Sequence, residues 1–298
     1  MGIKKSLPHM NRPIYLTEKN IINFIEQALV EDIGEGDHSS LASISPDQTG
    51  AARLIIKDKG MLAGVELAGL ILNHIDDSVE IDFMKQDGDL VVAGDTGFMI
   101  KGKIRSILAA ERLLLNCMQR MSGIATYTHY LNSLISGTSA KLLDTRKTTP
   151  NFRLPEKWAV AIGGGINHRF GLYDMIMLKD NHIDYAGGIR AAITTTLKYL
   201  DQKNLDLKIE VETRTLEEVQ EVLDTGGIHR IMLDNMEVST LRQAVELIRG
   251  RYQTEASGGI TEETIAQVAS TGVDFISVGA LTHSVTSLDI SLKATRQV

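Results

Sequence analysis

Short apolar segments alternate with amphipathic helical stretches along the second half of the chain, and each apolar segment ends in charged, polar or glycine residues. The apolar segments are residues 142–144, 175–179, 209–212, 231–234, 255–257 and 275–279. This rhythm is typical of a parallel α/β barrel. Because all strands of such a barrel end at one rim, we expect the residues at or just beyond the segment ends to meet there. These residues are Arg146, Lys147, Lys179, Glu212, Asp234, Ser257 and Gly279.

The first third of the chain follows a different pattern. Residues 17–30 predict an opening helix with Thr17 as its N-cap. Between residues 51 and 107, short strands are separated by glycines and interrupted by an apolar helix over 65–75. This mixture predicts a separate α+β domain.

A long helix is predicted over residues 108–135, with Ser122 and Gly123 as a candidate break. The helix would join the first domain to the barrel. The expected divisions are 1–124 for the first domain, 125–283 for the barrel domain and 284–298 for a tail that packs on the first domain.

Composition narrows the class of protein. The chain has 298 residues, 43% of them hydrophobic, and a single cysteine, Cys117, so it can form no internal disulfide. Its first residues lack the apolar stretch of a signal peptide, and we find no apolar run of roughly 18 residues that could span a bilayer. The net charge of -7 argues against a nucleic-acid partner. We therefore expect a cytoplasmic protein with neither a membrane nor a nucleic-acid role.

A positive zone interrupts this acidic background. From Arg146 to Lys179 the chain carries six lysines and arginines but only two carboxylates. A compact positive zone on an acidic protein suits a small, highly charged anion, because a cleft of one sign focuses the electric field. The alternative is a solvated basic face, which the position of these cations at strand ends and beside glycines disfavours.

Two segments of this zone carry donors for an anion. Residues 144–150 place Arg146 and Lys147 among three threonines after one strand, and this pair suits an anion with two acidic groups. Three glycines at 163–165 precede His168 and Arg169, which favours an anion-binding loop, with close backbone packing as the alternative. At the end of the next strand, Lys179 could form a Schiff base or neutralise a substrate; the neighbouring cations favour neutralisation.

Glu212 and Asp234 end two consecutive strands, so their carboxylates are expected at the same rim. Carboxylates among cations suit Mg²⁺, which prefers oxygen ligands and usually arrives with phosphate, or the hydroxyl groups of a sugar. Glu210 shares one side of its strand with Glu212 and competes for the same role. A structural ion pair with the lysines is the alternative.

The last two strands end in loops that suit phosphate, around 257–261 and 278–283. In parallel barrels the backbone N–H groups of the final loops and the helix N-termini commonly bind phosphate. Tight turns without a ligand are the alternative.

Together these motifs resemble the quinolinate phosphoribosyltransferase family. The matching segments are 31–37, 111–112, 144–150, 163–169, 178–182, 210–212, 233–235 and 255–260. The resemblance implies an α/β protein in which an N-terminal α+β sandwich domain precedes an incomplete parallel α/β barrel of the seven-stranded type. It also implies a homodimer in which each site borrows Arg112 from the partner subunit.

Transferred residue by residue, the resemblance implies three groups of site residues. The ligands of quinolinate and phosphoribosyl pyrophosphate would be Arg112, Thr145, Arg146, Lys147, His168, Arg169, Lys179, Glu212 and Asp234. The 5-phosphate would lie against Ser257, Gly258, Gly259, Val278, Gly279, Ala280 and His283. Lys147, Glu212 and Asp234 would be catalytic, and the two carboxylates would also bind Mg²⁺, directly or through the substrate. No organic cofactor is expected. The chain departs from the family pattern at His38, Ser39 and Asn151.

The implied reaction joins quinolinate to the phosphoribosyl group with loss of pyrophosphate and CO₂, giving nicotinate mononucleotide for NAD biosynthesis. Three alternatives remain at this stage. They are a lysine-based aldolase, a non-catalytic phosphate binder and a transferase acting on another heteroaromatic acid. The retained pair Glu212 and Asp234 disfavours the binder, which would not need these carboxylates.

Overall fold

The computed structural model describes residues 13–295, so the first residues of the predicted N-terminal domain and the last residues of its tail lie outside the described chain. The described chain divides into two compact units. The first comprises residues 13–127, Thr148–Gly163 and 285–295, and the second comprises Thr128–Lys147 and Gly164–Ser284. The segment Thr148–Gly163 thus belongs to the first unit, although the sequence pattern assigned it to the barrel domain.

The first unit is built on a four-stranded antiparallel sheet and a separate two-stranded sheet. The first sheet has the order β12 (Ile290–Thr295), β1 (Thr49–Ile56), β5 (Thr96–Lys103), β3 (Glu80–Phe83), and the second joins β2 (Gly60–Met61) to β4 (Leu90–Val91). Its helices are α1 (Glu18–Ile33), α2 (His38–Ser43), α3 (Val65–Ile75), most of α4 (Ile104–Leu134) and α5 (Arg153–Ile162). Strand β12 pairs with β1 along its full length, from Ile290 opposite Ile56 to Thr295 opposite Ala51.

The opening helix follows the predicted pattern. The Thr17 side chain accepts a hydrogen bond from the Asn20 N–H at 3.2 Å, and Ile21 and Ile25 are buried. The helix ends at Gly34, whose φ of 52° lies in the left-handed region. The predicted helix is confirmed and extends three residues further than expected, to Ile33.

The predicted break in the long helix is wrong, because α4 runs without interruption through Ser122 and Gly123. The two residues serve close packing instead. The Ser122 hydroxyl accepts a hydrogen bond from the Ala63 N–H at 2.9 Å and donates one to the Ala63 carbonyl at 3.1 Å. A Cβ atom on Gly123 would overlap the carbonyl oxygen of Thr286. A serine and a glycine that resemble a helix break are therefore required by neighbouring backbone.

The second unit contains a six-stranded parallel sheet of order β6 (Lys141–Leu143), β11 (Phe275–Ser277), β10 (Gln253–Ser257), β9 (Arg230–Asp234), β8 (Ile209–Thr213), β7 (Ile176–Leu178). Its helices are α6 (Asp180–Ala186), α7 (Ile189–Lys203), α8 (Leu216–Thr225), α9 (Val238–Ile248), α10 (Ile265–Ala269) and α11 (Ala280–His283). An isolated parallel bridge joins Ile166 to Leu143 beside β6.

The strand order confirms the incomplete parallel barrel. All six predicted strands are present, and the bridge at Ile166 adds a single residue pair at the seventh position in the described chain. Apolar residues fill the space between sheet and helices, among them Val211, Leu233 and Ile276, each 0% exposed. Of the described helices, none combines the length and the apolar character that a membrane crossing requires.

Candidate active site

The carboxyl ends of the parallel strands place the predicted rim residues on one edge of the second unit. Ser257 lies opposite Asp234 in the pairing of β10 with β9, and Glu212 lies opposite Met232 in the pairing of β8 with β9. Lys179 follows β7 directly, and β7 pairs with β8. The rim thus carries Lys179, Glu212, Asp234 and Ser257 on four neighbouring strands.

Glu212 and Asp234 form a pair of half-buried carboxylates. Burial raises the pKa of Glu212 and the neighbouring Asp234 raises it further, whereas Lys179 and the Asp180 N–H lower it. The Asp234 carboxylate accepts a hydrogen bond from the Asn235 side-chain amide at 2.6 Å. Two carboxylates that repel each other in this way are suited to a cation or to donor hydroxyl groups.

Lys147 converges with the loop that follows β11. A Cβ atom on Gly279 would lie 3.1 Å from Cδ of Lys147 and 3.0 Å from Nε2 of His283. The Thr282 hydroxyl donates a hydrogen bond to the Lys147 carbonyl at 3.0 Å, and the Lys147 N–H donates to the Thr145 hydroxyl at 3.0 Å. These contacts hold the backbone of Lys147 beside the predicted phosphate loop, while its side chain remains exposed.

Of the other residues in the predicted phosphate site, some have exposed backbone that could face a phosphate and others are buried. Gly258 and Gly259 are exposed with φ angles of 91° and 62°, and a Cβ atom on Gly258 would overlap the Asn235 side chain. Val278 is buried, and its N–H donates to the Leu143 carbonyl at 3.0 Å within the sheet. Ala280 is the first residue of α11. The two glycines and the start of α11 therefore provide the backbone that could face a phosphate.

Arg146, which lies in the loop after β6, and Arg169 bring two positive charges together in the second unit. Burial lowers the pKa of Arg169, and repulsion from Arg146 lowers it further. The Arg169 guanidinium donates to the Met175 carbonyl at 3.2 Å, which fixes one side of the group. Two guanidinium groups held near each other favour an anion between them.

His168 lies below the rim rather than on it. The residue is 8% exposed, and its Nε2 atom lies 2.8 Å from Oε2 of Glu210 and 3.4 Å from Oε2 of Glu255. Its Nδ1 atom accepts a hydrogen bond from the Arg169 N–H at 2.7 Å. Glu210, the competitor of Glu212, is fully buried in this cluster, whereas Glu212 is partly exposed at the rim.

Three further charged residues beneath the rim were not singled out from the sequence. Asp144 is buried, and its carboxylate accepts hydrogen bonds from the His168 N–H at 2.8 Å and from the Asn167 amide at 2.6 Å. Glu255 and Arg230 complete the buried cluster, with Nη1 of Arg230 2.7 Å from Oε2 of Glu255. A glutamate, Glu255, at the start of a short predicted strand was the available signal, and the sequence analysis gave it no role.

The glycine run at 163–165 combines two roles. Gly163 ends α5, and its N–H donates to the Ala159 carbonyl. Gly164 has a φ of 86°, and a Cβ atom on it would lie 3.2 Å from the Asn132 amide nitrogen. Close packing thus explains Gly164 without a ligand. Asn151, where the family pattern has glycine, has a φ of 62°, a conformation that glycine adopts freely and asparagine tolerates.

Arg112 belongs to the first unit, where it lies exposed on α4. The remaining predicted ligands, Thr145, Arg146, Lys147, His168, Arg169, Lys179, Glu212 and Asp234, belong to the second unit.

Comparisons with known proteins cover both parts of the chain. The family described as "Quinolinate phosphoribosyl transferase, N-terminal domain" matches residues 37–122, and the corresponding C-terminal domain matches residues 124–293. The chain is 51% identical over 284 residues to a carboxylating nicotinate-nucleotide pyrophosphorylase of Arabidopsis thaliana, covering 90% of this chain and 81% of that protein. It is 41% identical over 281 residues to a probable carboxylating nicotinate-nucleotide pyrophosphorylase of Bacillus subtilis, covering 94% of each protein.

Solved structures show the same fold. The nicotinate-nucleotide pyrophosphorylase of Francisella tularensis superimposes with a TM-score of 0.86 at 39% identity, covering 95% of this chain and 99% of that one. Because both domain families match in order and the relatives are similar over most of their length, the chain belongs to the quinolinate phosphoribosyltransferase family.

Proposed function

We propose that the protein transfers the phosphoribosyl group of phosphoribosyl pyrophosphate to quinolinate and releases CO₂, forming nicotinate mononucleotide in NAD biosynthesis. The observation that carries this proposal is the pairing, on one barrel rim, of cations with the carboxylates of Glu212 and Asp234. Cations alone would suit any phosphate ligand. The added carboxylate pair suits a reaction in which a sugar becomes positively charged.

Arg146 and Arg169 would bind the two carboxylates of quinolinate. Their guanidinium groups repel each other before the substrate arrives, and a dianion relieves this repulsion. The planar fork of an arginine also matches a carboxylate with two parallel hydrogen bonds. The pre-set positions of these groups would orient the pyridine nitrogen toward the sugar without reorganisation during the reaction.

Lys147 and Lys179 would neutralise the phosphate and pyrophosphate groups. Both lysine side chains are exposed on the rim, whereas a Schiff-base lysine is typically desolvated in an apolar pocket. Their exposure therefore favours charge neutralisation over the aldolase alternative. The backbone of Gly258, Gly259 and α11, together with His283 beside Lys147, would hold the 5-phosphate.

The reaction balances as follows. The pyridine nitrogen forms a bond to the anomeric carbon, and the bond from that carbon to pyrophosphate breaks with its electron pair on the leaving oxygen. The 2-carboxylate then leaves as CO₂, and a proton takes its place on the ring carbon. Positive charge that develops on the ribose is stabilised by Glu212 and Asp234.

Glu212 and Asp234 would also hold Mg²⁺. The residues fit this ion, because both offer carboxylate oxygens. Burial raises the pKa of Glu212, and repulsion by the Asp234 carboxylate raises it further. When bound, Mg²⁺ would supply positive charge to the pyrophosphate. The two carboxylates keep their role in orienting the ribose.

We further propose a homodimer in which the partner subunit's Arg112 completes each site. Arg112 is exposed on α4 and belongs to a different unit from the other ligands. We predict that Arg112→Ala and Lys147→Ala proteins, each inactive alone, regain activity when mixed. A hybrid dimer would contain one intact site, so up to roughly a quarter of the wild-type activity is expected by random pairing.

The mixing experiment requires proof of subunit exchange, for example by mass spectrometry of differently tagged chains. Two preparations of Lys147→Ala with different tags serve as the control, since every site in that mixture lacks Lys147. Failure to recover activity despite exchange would contradict the shared site.

The proposed function itself is tested with purified protein, quinolinate, phosphoribosyl pyrophosphate and Mg²⁺. We expect nicotinate mononucleotide and CO₂ to appear in equal amounts. Binding of phosphoribosyl pyrophosphate without either product would support another heteroaromatic acid or a binding role. The cytoplasmic location stays a prediction from the sequence.

A further inference from the structure

The segment that follows β6 and the turn that follows β11 are joined at two points in the second unit. The Val278 N–H donates a hydrogen bond to the Leu143 carbonyl at 3.0 Å, where β11 and β6 end. Four residues further along each segment, the Thr282 hydroxyl donates to the Lys147 carbonyl at 3.0 Å. The two bonds keep these segments side by side beyond the end of the sheet. The second bond is the point at which Lys147 meets the turn.

The Thr282 hydroxyl bonds to a remote carbonyl although a local carbonyl is close. The residue is 0% exposed, and a buried hydroxyl has to be hydrogen-bonded. Threonines commonly bond to a carbonyl three or four residues earlier, as Thr271 does with Val268 at 2.7 Å. For Thr282 the equivalent carbonyl of Gly279 lies at 3.3 Å, and the Lys147 carbonyl lies closer, at 3.0 Å. The shorter bond thus joins residues that are 135 positions apart in the sequence.

Lys147 needs support of this kind, because its charge stands at the end of a flexible four-carbon stem. The side chain is exposed, so burial does not fix it. Its backbone is fixed instead, since the N–H donates to the Thr145 hydroxyl at 3.0 Å and the carbonyl accepts from Thr282. The stem also lies against Gly279, where an added Cβ atom would be 3.1 Å from Cδ of Lys147. Thr282 therefore helps to fix the point from which the stem reaches this glycine.

His283 lies against the same glycine. An added Cβ atom on Gly279 would be 3.0 Å from Nε2 of His283, whose Nδ1 lies 2.6 Å from the Ser284 hydroxyl oxygen. Thr282 directly precedes His283 and holds Lys147 through its hydroxyl. One residue thus sets the spacing between two groups that the proposed function assigns to phosphates of one substrate. A substrate with phosphate groups at both ends of a sugar requires donors at a matching spacing.

We propose that Thr282 is a positioning residue for phosphoribosyl pyrophosphate, and that its buried hydroxyl holds Lys147 beside Gly279 and His283 without contacting the substrate. This inference rests on the proposed function. With its backbone held, Lys147 has its charge in place before the substrate arrives, and no reorganisation is needed during the reaction. Loss of the hydroxyl should therefore weaken the contribution of Lys147 to the reaction while its charge remains.

The first test compares Thr282→Val with Thr271→Val, because valine removes the hydroxyl and keeps the branched shape. Thr271 is also buried and bonded to a carbonyl, but it precedes β11 and so lies at the opposite end of that strand from the site. Both variants should lose similar thermal stability. Only Thr282→Val should lower kcat/KM for phosphoribosyl pyrophosphate, by about 10-fold, as expected for the loss of one well-placed hydrogen bond. Thr282→Ser keeps the hydroxyl and should stay within about 3-fold of wild type.

A double-mutant cycle tests whether Thr282 acts through Lys147. Lys147→Ala removes the charge that Thr282 is proposed to position, so in that background Thr282→Val should reduce kcat/KM by less than about 2-fold. The carbonyl that accepts the bond remains in Lys147→Ala, so the cycle reports on the lysine side chain. Initial rates of nicotinate mononucleotide formation by wild type, both single variants and the double variant measure the coupling. A further loss of about 10-fold in the Lys147→Ala background would show that Thr282 acts independently of Lys147, and would overturn the inference.

Thr282→Cys keeps the experiment informative if Thr282→Val folds poorly. Cysteine is of similar size and has only a weak S–H donor, so we expect a smaller loss of kcat/KM that again disappears in the Lys147→Ala background. Equal losses of kcat/KM in Thr282→Val and Thr271→Val would reduce the bond to ordinary stabilisation of the barrel and contradict the inference. Inactive wild-type protein would instead contradict the proposed function.

Discussion

Lys147→Ala is expected to reduce kcat/KM by roughly 10²- to 10³-fold, the effect typical of removing one preorganised charge from a transition state. Lys147 lies beside Gly279 and His283, where the phosphate groups of the sugar substrate are proposed to bind. Its side chain is exposed, so its loss should leave the free energy of unfolding almost unchanged. Initial rates with both substrates varied, together with a thermal melt, separate these two effects.

Lys141→Ala is the matched control for this prediction. Lys141 is also exposed and begins the same strand, β6, at the opposite end of the barrel from the proposed site. Its removal changes the net charge by the same amount and should leave the kinetics near wild type. Comparable losses in both variants would show that Lys147 acts through the overall charge of the protein rather than through a local contact.

Gly123→Ala is expected to lower the free energy of unfolding by about 3 kcal/mol or more, at the upper end of the range for overpacking. The added methyl group would overlap the carbonyl oxygen of Thr286, which belongs to backbone and cannot rotate away. The helix itself would gain from alanine, so the sign of the result depends on this contact alone. Urea denaturation followed by circular dichroism measures the change.

Gly137→Ala provides the control for the glycine prediction. A Cβ atom on Gly137 would have no neighbour within 4 Å, and its backbone is not in the left-handed region. Alanine should therefore be neutral or stabilise by up to about 1 kcal/mol through the unfolded chain. A Gly123→Ala protein as stable as this control would mean that the chain around Thr286 can move without loss.

The parallel sheet was the part of the fold most open to prediction. Its strands are short apolar runs bounded by glycine or charged residues, and this local pattern is visible without any tertiary contact. Because parallel strands share a direction, the pattern also predicted that Glu212, Asp234 and Ser257 lie at one rim. The strand pairing places Ser257 opposite Asp234, and Glu212 opposite Met232, two residues before Asp234. The long helix was predicted for the same reason, since an amphipathic stripe is a local property.

The predictions from sequence were wrong or incomplete where one residue type is common in two different structural settings. Ser122 and Gly123 indicated a break in α4, but they are required by Ala63 and Thr286, which are remote in the chain. Glu210 and Glu212 have the same side-chain direction, and their sequence positions gave no measure of depth within the barrel. Which of the two carboxylates is buried and which lies at the rim depends on how far β8 extends beyond its neighbouring strands.

Local patterns of apolar and polar residues determined the order of strands and helices, the direction of the barrel rim and the positive zone around Arg146, Lys147 and Arg169. Tertiary structure decided which charges are buried, and it placed His168 against Glu210, with Nε2 2.8 Å from Oε2. The physical reason is that periodicity records only which side of an element faces the core. Depth, pairing of charges and close backbone approach arise from contacts between residues far apart in the chain, and local pattern does not encode them.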